Sequence, residues 1–227
     1  NCKVQNAIAI SSFWFAWCML DTMSNSNQQT IQAYETHVQE YVDGTAQNIT
    51  AGTVKNWIDE FVGDLPKTAR ILEIGSAFGR DAAYLQSLGY KVECTDATRA
   101  FVDLLNQEGF NARILNAITD DIEGSYDLIF ANAVLLHFTR DEAKRVMRKV
   151  MNALNSHGTF AFTVKQGEGE RWSVPAEDKL GVSRYFCYWT EDRIRRAVQE
   201  VGFTSVKAAG DQSTSHATWV QVIAHKG

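Results

Sequence analysis

The segment EIGSAFGRD, Glu73 to Asp81, constrains this chain more than any other. A short apolar strand, RILEI, runs into a loop with glycines at 75 and 79, and a helical stretch opens at Arg80 and continues to about Leu88. Glycine reaches backbone angles closed to other residues and lets a ligand approach the main chain. A strand that hands over to a helix in this way predicts a parallel neighbour joined by a right-handed crossover, with ligands beyond the carboxyl ends of the strands. The loop alone does not choose a ligand.

The alternation continues downstream. KVECT (Lys91 to Thr95), ARIL (Ala112 to Leu115), YDLIFA (Tyr126 to Ala131) and TFAFTV (Thr159 to Val164) read as strands. Between them, Phe101, Leu104 and Leu105, then Ala143, Val146, Met147, Val150 and Leu154, fall on helical faces. Val54, Trp57, Ile58 and Phe61 mark a helix before the first strand; Ile194, Ala197, Val198 and Val201 mark another late in the chain. The segments around Thr204 to Ala208 and Thr218 to Ala224 follow without a helix between them, which suits an antiparallel hairpin. The expected fold is α/β: a Rossmann-like, doubly wound, mostly parallel seven-stranded sheet with an antiparallel C-terminal hairpin.

At 227 residues the chain suits one such domain. Residues 30–227 are expected to form it, and residues 1–29 to be an N-terminal extension. The apolar run Ala7 to Leu20 is shorter than the roughly 20 residues a bilayer crossing needs, so no membrane span is expected. Met23 and the polar string after it would make a natural start, so residues 1–22 are expected to be foreign to the native chain; a signal-peptide remnant and a lid helix stay open as alternatives.

A net charge of −5 argues against a broad phosphate-binding surface and hence against nucleic acid. Cys2, Cys18, Cys94 and Cys187 are scattered, as are His37, His137, His157, His216 and His225, so no metal is expected and the thiols read as reduced, in keeping with a cytoplasmic protein.

Two carboxylates sharpen the loop's meaning. Glu73 at its mouth repels a pyrophosphate and attracts a cation, and S-adenosyl-L-methionine carries both an ammonium and a sulfonium. Ala77 and Arg80 stand where a dinucleotide fingerprint wants glycine, which disfavours a nicotinamide oxidoreductase. Asp96 ends the second strand, where a carboxylate can accept both ribose hydroxyls. Asn116 and Ala117 follow the third strand, where an amide and a small turn can hold adenine, and Asn132 follows the fourth.

On these residues, the run from about Tyr34 to the C-terminus resembles the class I S-adenosylmethionine-dependent methyltransferases. EIGSAFG matches their glycine-rich motif, Asp96 their ribose-binding acid and YDLIFANAVLLH their fourth-strand motif. Ala77 departs from their central glycine, and Asn116 from a common aspartate. The resemblance implies a cofactor site of Glu73, Gly75, Ser76, Ala77, Gly79, Arg80, Asp96, Ala97, Asn116, Ala117, Asn132 and Tyr41.

Structural readings stand beside these. Glu73 suits a helix dipole, as does Asp81; Arg80 suits an exposed first turn; Tyr34 and Tyr41 suit plain helix packing. His137 stands where an imidazole can take a proton from an acceptor, or where it simply packs. The charged, glycine-containing run Lys165 to Lys179 and the cluster RYFCYW read either as a substrate lid or as a solvated loop with a packed edge. As a lid, they place Lys165, Arg171, Arg184, Tyr185 and Trp189 against the acceptor. The acceptor is expected to be a small molecule methylated at oxygen or nitrogen; the alternatives are a tRNA wobble nucleoside and a non-catalytic cofactor-binding module.

Overall fold

The computed structural model describes residues 26–213 and 217–227, without the side chains of 211–213. The run Ala7 to Leu20, Met23, Cys2, Cys18 and His216 lie outside the described residues.

The chain enters through helix α1 (26–36), α2 (Val38–Asp43) and the amphipathic α3 (Thr53–Val62). The boundary expected at residue 29 falls inside α1, where Asn27 and Thr30 are buried. Strand β1 (Ile71–Ile74) is buried throughout, as a short strand covered on both faces must be. Then follow α4 (Arg80–Ser87), β2 (Val92–Asp96), α5 (Arg99–Gln107), β3 (Asn111–Ile114) and β4 (Tyr126–Ala131). After a short 3-10 turn at Leu135–His137 come α6 (Arg140–Ala153), β5 (Leu154–Gln166), β6 (Glu170–Trp172), β7 (Tyr185–Trp189), α7 (Glu191–Val201), β8 (Ser205–Ser213) and β9 (Thr218–His225). Helix α6 starts on a capping box: Thr139 Oγ1 accepts from Glu142 N, and Glu142 Oε2 accepts from Thr139 N, which contributes about 1 kcal/mol.

Strands β3, β2, β1, β4 and β5 lie side by side and parallel in that order. Because side chains alternate, Leu128 and Phe130 of β4 join Trp57, Phe61 and Leu85 in one core, while Ile129 and Ala131 join Phe160, Val146 and Ile194 in the other. The sheet thus has helices α3 and α4 on one face and α6 and α7 on the opposite one. Leu154, expected on the face of α6, instead opens β5.

The sheet has nine strands rather than the seven expected. The difference lies where β5 forks. Along Thr159 to Lys165 it pairs with β9, which pairs in turn with β8, giving the expected antiparallel hairpin. At Lys165 and Gln166 it also pairs with β7, which carries β6 on its far side. The aromatic cluster hid this strand: Tyr185, Cys187 and Trp189 face a core while Phe186 faces the opposite way, so burial on both sides erases the polar alternation that marks a strand.

Candidate functional site

Two acidic strand ends sit at the top of the parallel sheet. Glu73 of β1 is 2% exposed, and its Oε2 has no hydrogen-bond partner. Burial, reinforced by Asp81, pushes its carboxyl up to about 8. Asp96 of β2 is buried as well and raised for the same first reason, against two backbone donors: Oδ2 accepts from Ala77 N at 3.0 Å and Oδ1 from Thr98 N at 2.8 Å. Those bonds bind the glycine loop to the end of β2.

The loop is held close to its surroundings. Gly75 has φ +73°, its N–H donates to Thr95 O at 2.7 Å, and a Cβ there would stand 2.4 Å from Val134 Cγ2. Ala77 and Ala133 also have left-handed backbones, φ 48° and 60°, each fixed through its N–H, to Asp96 and to Thr163 Oγ1. A left-handed alanine costs about 1–2 kcal/mol, so this strain is kept where backbone must line a cavity.

Two adjoining cavities open here. The first has Asp96, Ala97, Leu115, Asn116, Ala117 and Phe101 on its walls, with Asn27, Thr30 and Ile31 of α1 closing it. The second, about 590 Å³, is lined by Glu73, Ser76, Arg80 and Asp81 at the loop and by Lys165, Arg184 and Phe186 at the lid. Tyr34, Tyr41, Gly75, Ala77, Asn132, Ala133 and His137 line both. A narrow acidic compartment therefore opens into a wider one with mixed charge. Asn132 is fixed at the junction, donating to Asp81 Oδ2 at 2.7 Å and accepting from Thr163 Oγ1 at 2.8 Å. Asn116 is less free than its position implies: its amide donates to Asn27 Oδ1 and accepts from Ile118 N.

A hydrogen-bonded chain crosses the junction. Asp178 holds Arg184 at 2.8 Å, Arg184 Nη1 donates to the Tyr34 hydroxyl at 2.5 Å, and that hydroxyl lies 2.9 Å from His137 Nε2. His137 Nδ1 lies 2.8 Å from the Tyr185 carbonyl, which can only accept, so the proton is on Nδ1 and Tyr34 O–H donates to Nε2. Burial, then the Arg184 charge, push the imidazole down to about 3. His137 is a neutral acceptor already in use, and the hydroxyl it orients is Tyr34. Burial raises that phenol, with Arg184 pulling the other way.

Of the residues expected at the cofactor, Gly79 lines neither cavity. Its φ of +86° starts α4, and a Cβ there would meet Leu105 and Phe110, so it is a packing glycine. Of those expected at the acceptor, Lys165 and Arg184 line the second cavity. Arg171 is exposed on β6 over the Tyr188 ring, and Tyr185 and Trp189 are in the core. Tyr185 nonetheless supplies the carbonyl that orients His137, and its hydroxyl donates to Glu170. The sequence pattern carried no sign of Asn27 at the site, and it held Asp178 and Lys179 only within the charged run Lys165 to Lys179, without marking either one. Among the described residues, no three His, Cys, Asp or Glu side chains gather as a metal site, and no helix is long and apolar enough to cross a membrane.

The sequence profile of a family described as a methyltransferase domain matches residues 44–208. No curated protein matches the sequence significantly. Many solved structures share the fold. One is the 1,6-didemethyltoxoflavin-N1-methyltransferase of Burkholderia thailandensis with its substrate and S-adenosylhomocysteine, 19% identical over 88% of this chain and 86% of that one, TM-score 0.65. The magnesium protoporphyrin IX methyltransferase of Synechocystis with S-adenosylhomocysteine is 15% identical over 86% and 97%, TM-score 0.65. Phosphoethanolamine N-methyltransferase 2 of Haemonchus contortus with S-adenosylmethionine is 14% identical over 85% of this chain but 57% of that one, TM-score 0.67. At these identities the likeness shows the fold.

Proposed function

We propose that this chain, which belongs to the methyltransferase-domain family and is a class I S-adenosylmethionine-dependent methyltransferase, methylates an oxygen or nitrogen of a small molecule. The observation that carries the reading is the unpartnered, buried Glu73 Oε2 in a cavity adjoining the one that Asp96 lines, with Gly75 too crowded for a side chain between them. A nucleoside with a cationic amino-acid tail fits that pair. Asp96 would accept the ribose hydroxyls, Phe101 and Leu115 would flank the base, and Glu73 with Arg80 would face the ammonium and carboxylate of the tail. When bound, the cofactor supplies a methyl group on a cationic sulfur that leaves neutral.

The protein's own contribution is alignment and exclusion of water in the second cavity. The Tyr34 hydroxyl, accepting from Arg184 and donating to His137 Nε2, is held as a fixed hydrogen-bonding group on the wall that both cavities share, where it would orient the acceptor. His137 is therefore a positioning residue in this reading. Buried, unpaired Cys94 and Cys187 suit a reducing, cytoplasmic setting, and the domain is taken to begin before residue 30, with α1.

Calorimetry with S-adenosylmethionine and S-adenosylhomocysteine tests the reading: saturable one-site uptake of both is expected, and heat of dilution alone for both would sink it. The hydrogen-bonded chain has its own check in imidazole nitrogen NMR. His137 should hold the Nδ1–H tautomer and show no titration between about pH 5 and pH 9. A midpoint near the ordinary histidine value would show that Tyr34 and burial do not hold it neutral.

A further inference from the structure

The cations around the second cavity divide into two kinds. Arg80 is paired with Asp81 at 2.6 Å and Arg184 with Asp178 at 2.8 Å, both largely buried. Lys165 and Lys179 form no ion pair among the described residues. Lys165 Nζ lies 3.9 Å from the centre of the Phe186 ring; Lys179 Nζ lies 4.4 Å from that of Tyr41 and donates to Thr45 Oγ1. An ammonium is strongly hydrated, and a ring face replaces that hydration only in part.

Their placement is fixed by the fold. Lys165 sits at the fork of the sheet, in register with Tyr188 of β7 on one side and Trp219 of β9 on the other. Lys179 hangs from the β6–β7 connection, which Asp178 ties down through Ser173 Oγ, Leu180 N and Arg184. Burial and then the Arg184 charge lower both lysines, Lys179 to about 8, so an anion beside them offsets a local excess of positive charge. On the acidic side, Asp81 and Asp178 are spent on their arginines, Glu73 faces the loop, and exposed Glu177 on the lid is the one remaining carboxylate on the described wall.

We infer that the acceptor carries an anionic group, a carboxylate or a phosphate, seated between Lys165 and Lys179, with its apolar body against Phe186 and Trp219. The inference rests on the methyltransferase reading, since it assigns the space beyond the cofactor. The same lysines would hold the acceptor's charged end away from the sulfonium, leaving its nucleophile to face the junction at Tyr34.

The test uses the intact protein, first saturated with S-adenosylhomocysteine so that failure of the cofactor reading shows itself separately. Benzoate, phenyl phosphate, benzamide and benzylamine are then titrated by calorimetry. One of the two anions is expected to bind at least tenfold more tightly than benzamide, and benzylamine not at all; which anion wins separates carboxylate from phosphate. K165Q/K179Q should abolish that preference while changing S-adenosylhomocysteine affinity less than twofold, which also reports that the variant is folded. Equal binding of anion and amide, no saturable binding of either anion, or a preference that survives in K165Q/K179Q overturns the inference. If K165Q/K179Q loses S-adenosylhomocysteine too, K165Q and K179Q singly should each cut the anion preference at least threefold; no change in either overturns it.

Discussion

Asp96→Asn is expected to weaken S-adenosylhomocysteine binding roughly 100-fold, because that carboxylate serves the loop and the ligand together. Its two oxygens accept from Ala77 N and Thr98 N, and the carboxylate lines the first cavity. Asparagine has one acceptor oxygen, so one of those N–H groups would meet an amide N–H₂ instead. Charged hydrogen bonds contribute about 1.5–3 kcal/mol each, so losing one at the ribose and reducing the other to a neutral one accounts for the roughly 2.7 kcal/mol that a 100-fold change represents. The loop suffers as well, since Ala77 sits at φ 48° and depends on that contact. Removing a buried charge offsets part of the structural cost, so the free protein should melt only a few degrees lower. Calorimetry and thermal melting together decide the matter: affinity within threefold of wild type would mean that Asp96 does not touch the nucleoside.

How far such a site is legible in a sequence depends on the range of the contacts that make it. β4 was readable to the residue as Tyr126–Ala131, since six residues of local pattern suffice. Glu73 and Asp96 stood out for a local reason as well: Glu73 is the one charge in the apolar β1, Asp96 closes β2, and parallel pairing of β1 with β2 brings those ends together. Tyr34 and His137 are another matter. They are 103 positions apart, and nothing local marks a tyrosine on an N-terminal helix as the donor to a histidine beyond the fourth strand.

Gly79 shows a different limit: it is a motif glycine whose left-handed backbone also lets α4 pack against Leu105 and Phe110, a contact the motif does not announce. Asn116 lies where expected but shares its amide with Asn27, a residue that the expected domain boundary left outside. The run after β5 stood out by its charge and aromatic content, yet which of its residues face the cavity depends on the fork in β5. Alternation along β7 separates Phe186, which lines the cavity, from Trp189, which does not, while Arg171, opposite Phe186 on the same face, stands one strand further out.

Raising the pH from about 6 to about 8 is expected to tighten S-adenosylhomocysteine binding, by up to tenfold per pH unit, with release of as much as one proton per ligand. The cause is Glu73. Burial, then Asp81, hold its carboxyl up near 8, so in the free protein it is protonated at neutral pH. An ammonium arriving beside Oε2 favours the ionised form, and the proton must leave. The stability of the free protein runs the other way. An unfolded chain loses this proton near the ordinary 4.5 while the folded one keeps it to about 8, so folding contributes less as pH rises through that window. His137, lowered to about 3, contributes stability that grows as pH rises toward 6.5, so the two oppose each other between 4.5 and 6.5. Melting curves therefore mix both groups, whereas proton release on binding isolates Glu73. Calorimetry at pH 7 in phosphate and in Tris, whose ionisation heats differ, counts the protons directly. E73Q should bind more weakly, release none and lose the pH slope. If wild type and E73Q release the same number, the carboxyl does not meet the ligand's ammonium and the reading of this cavity fails.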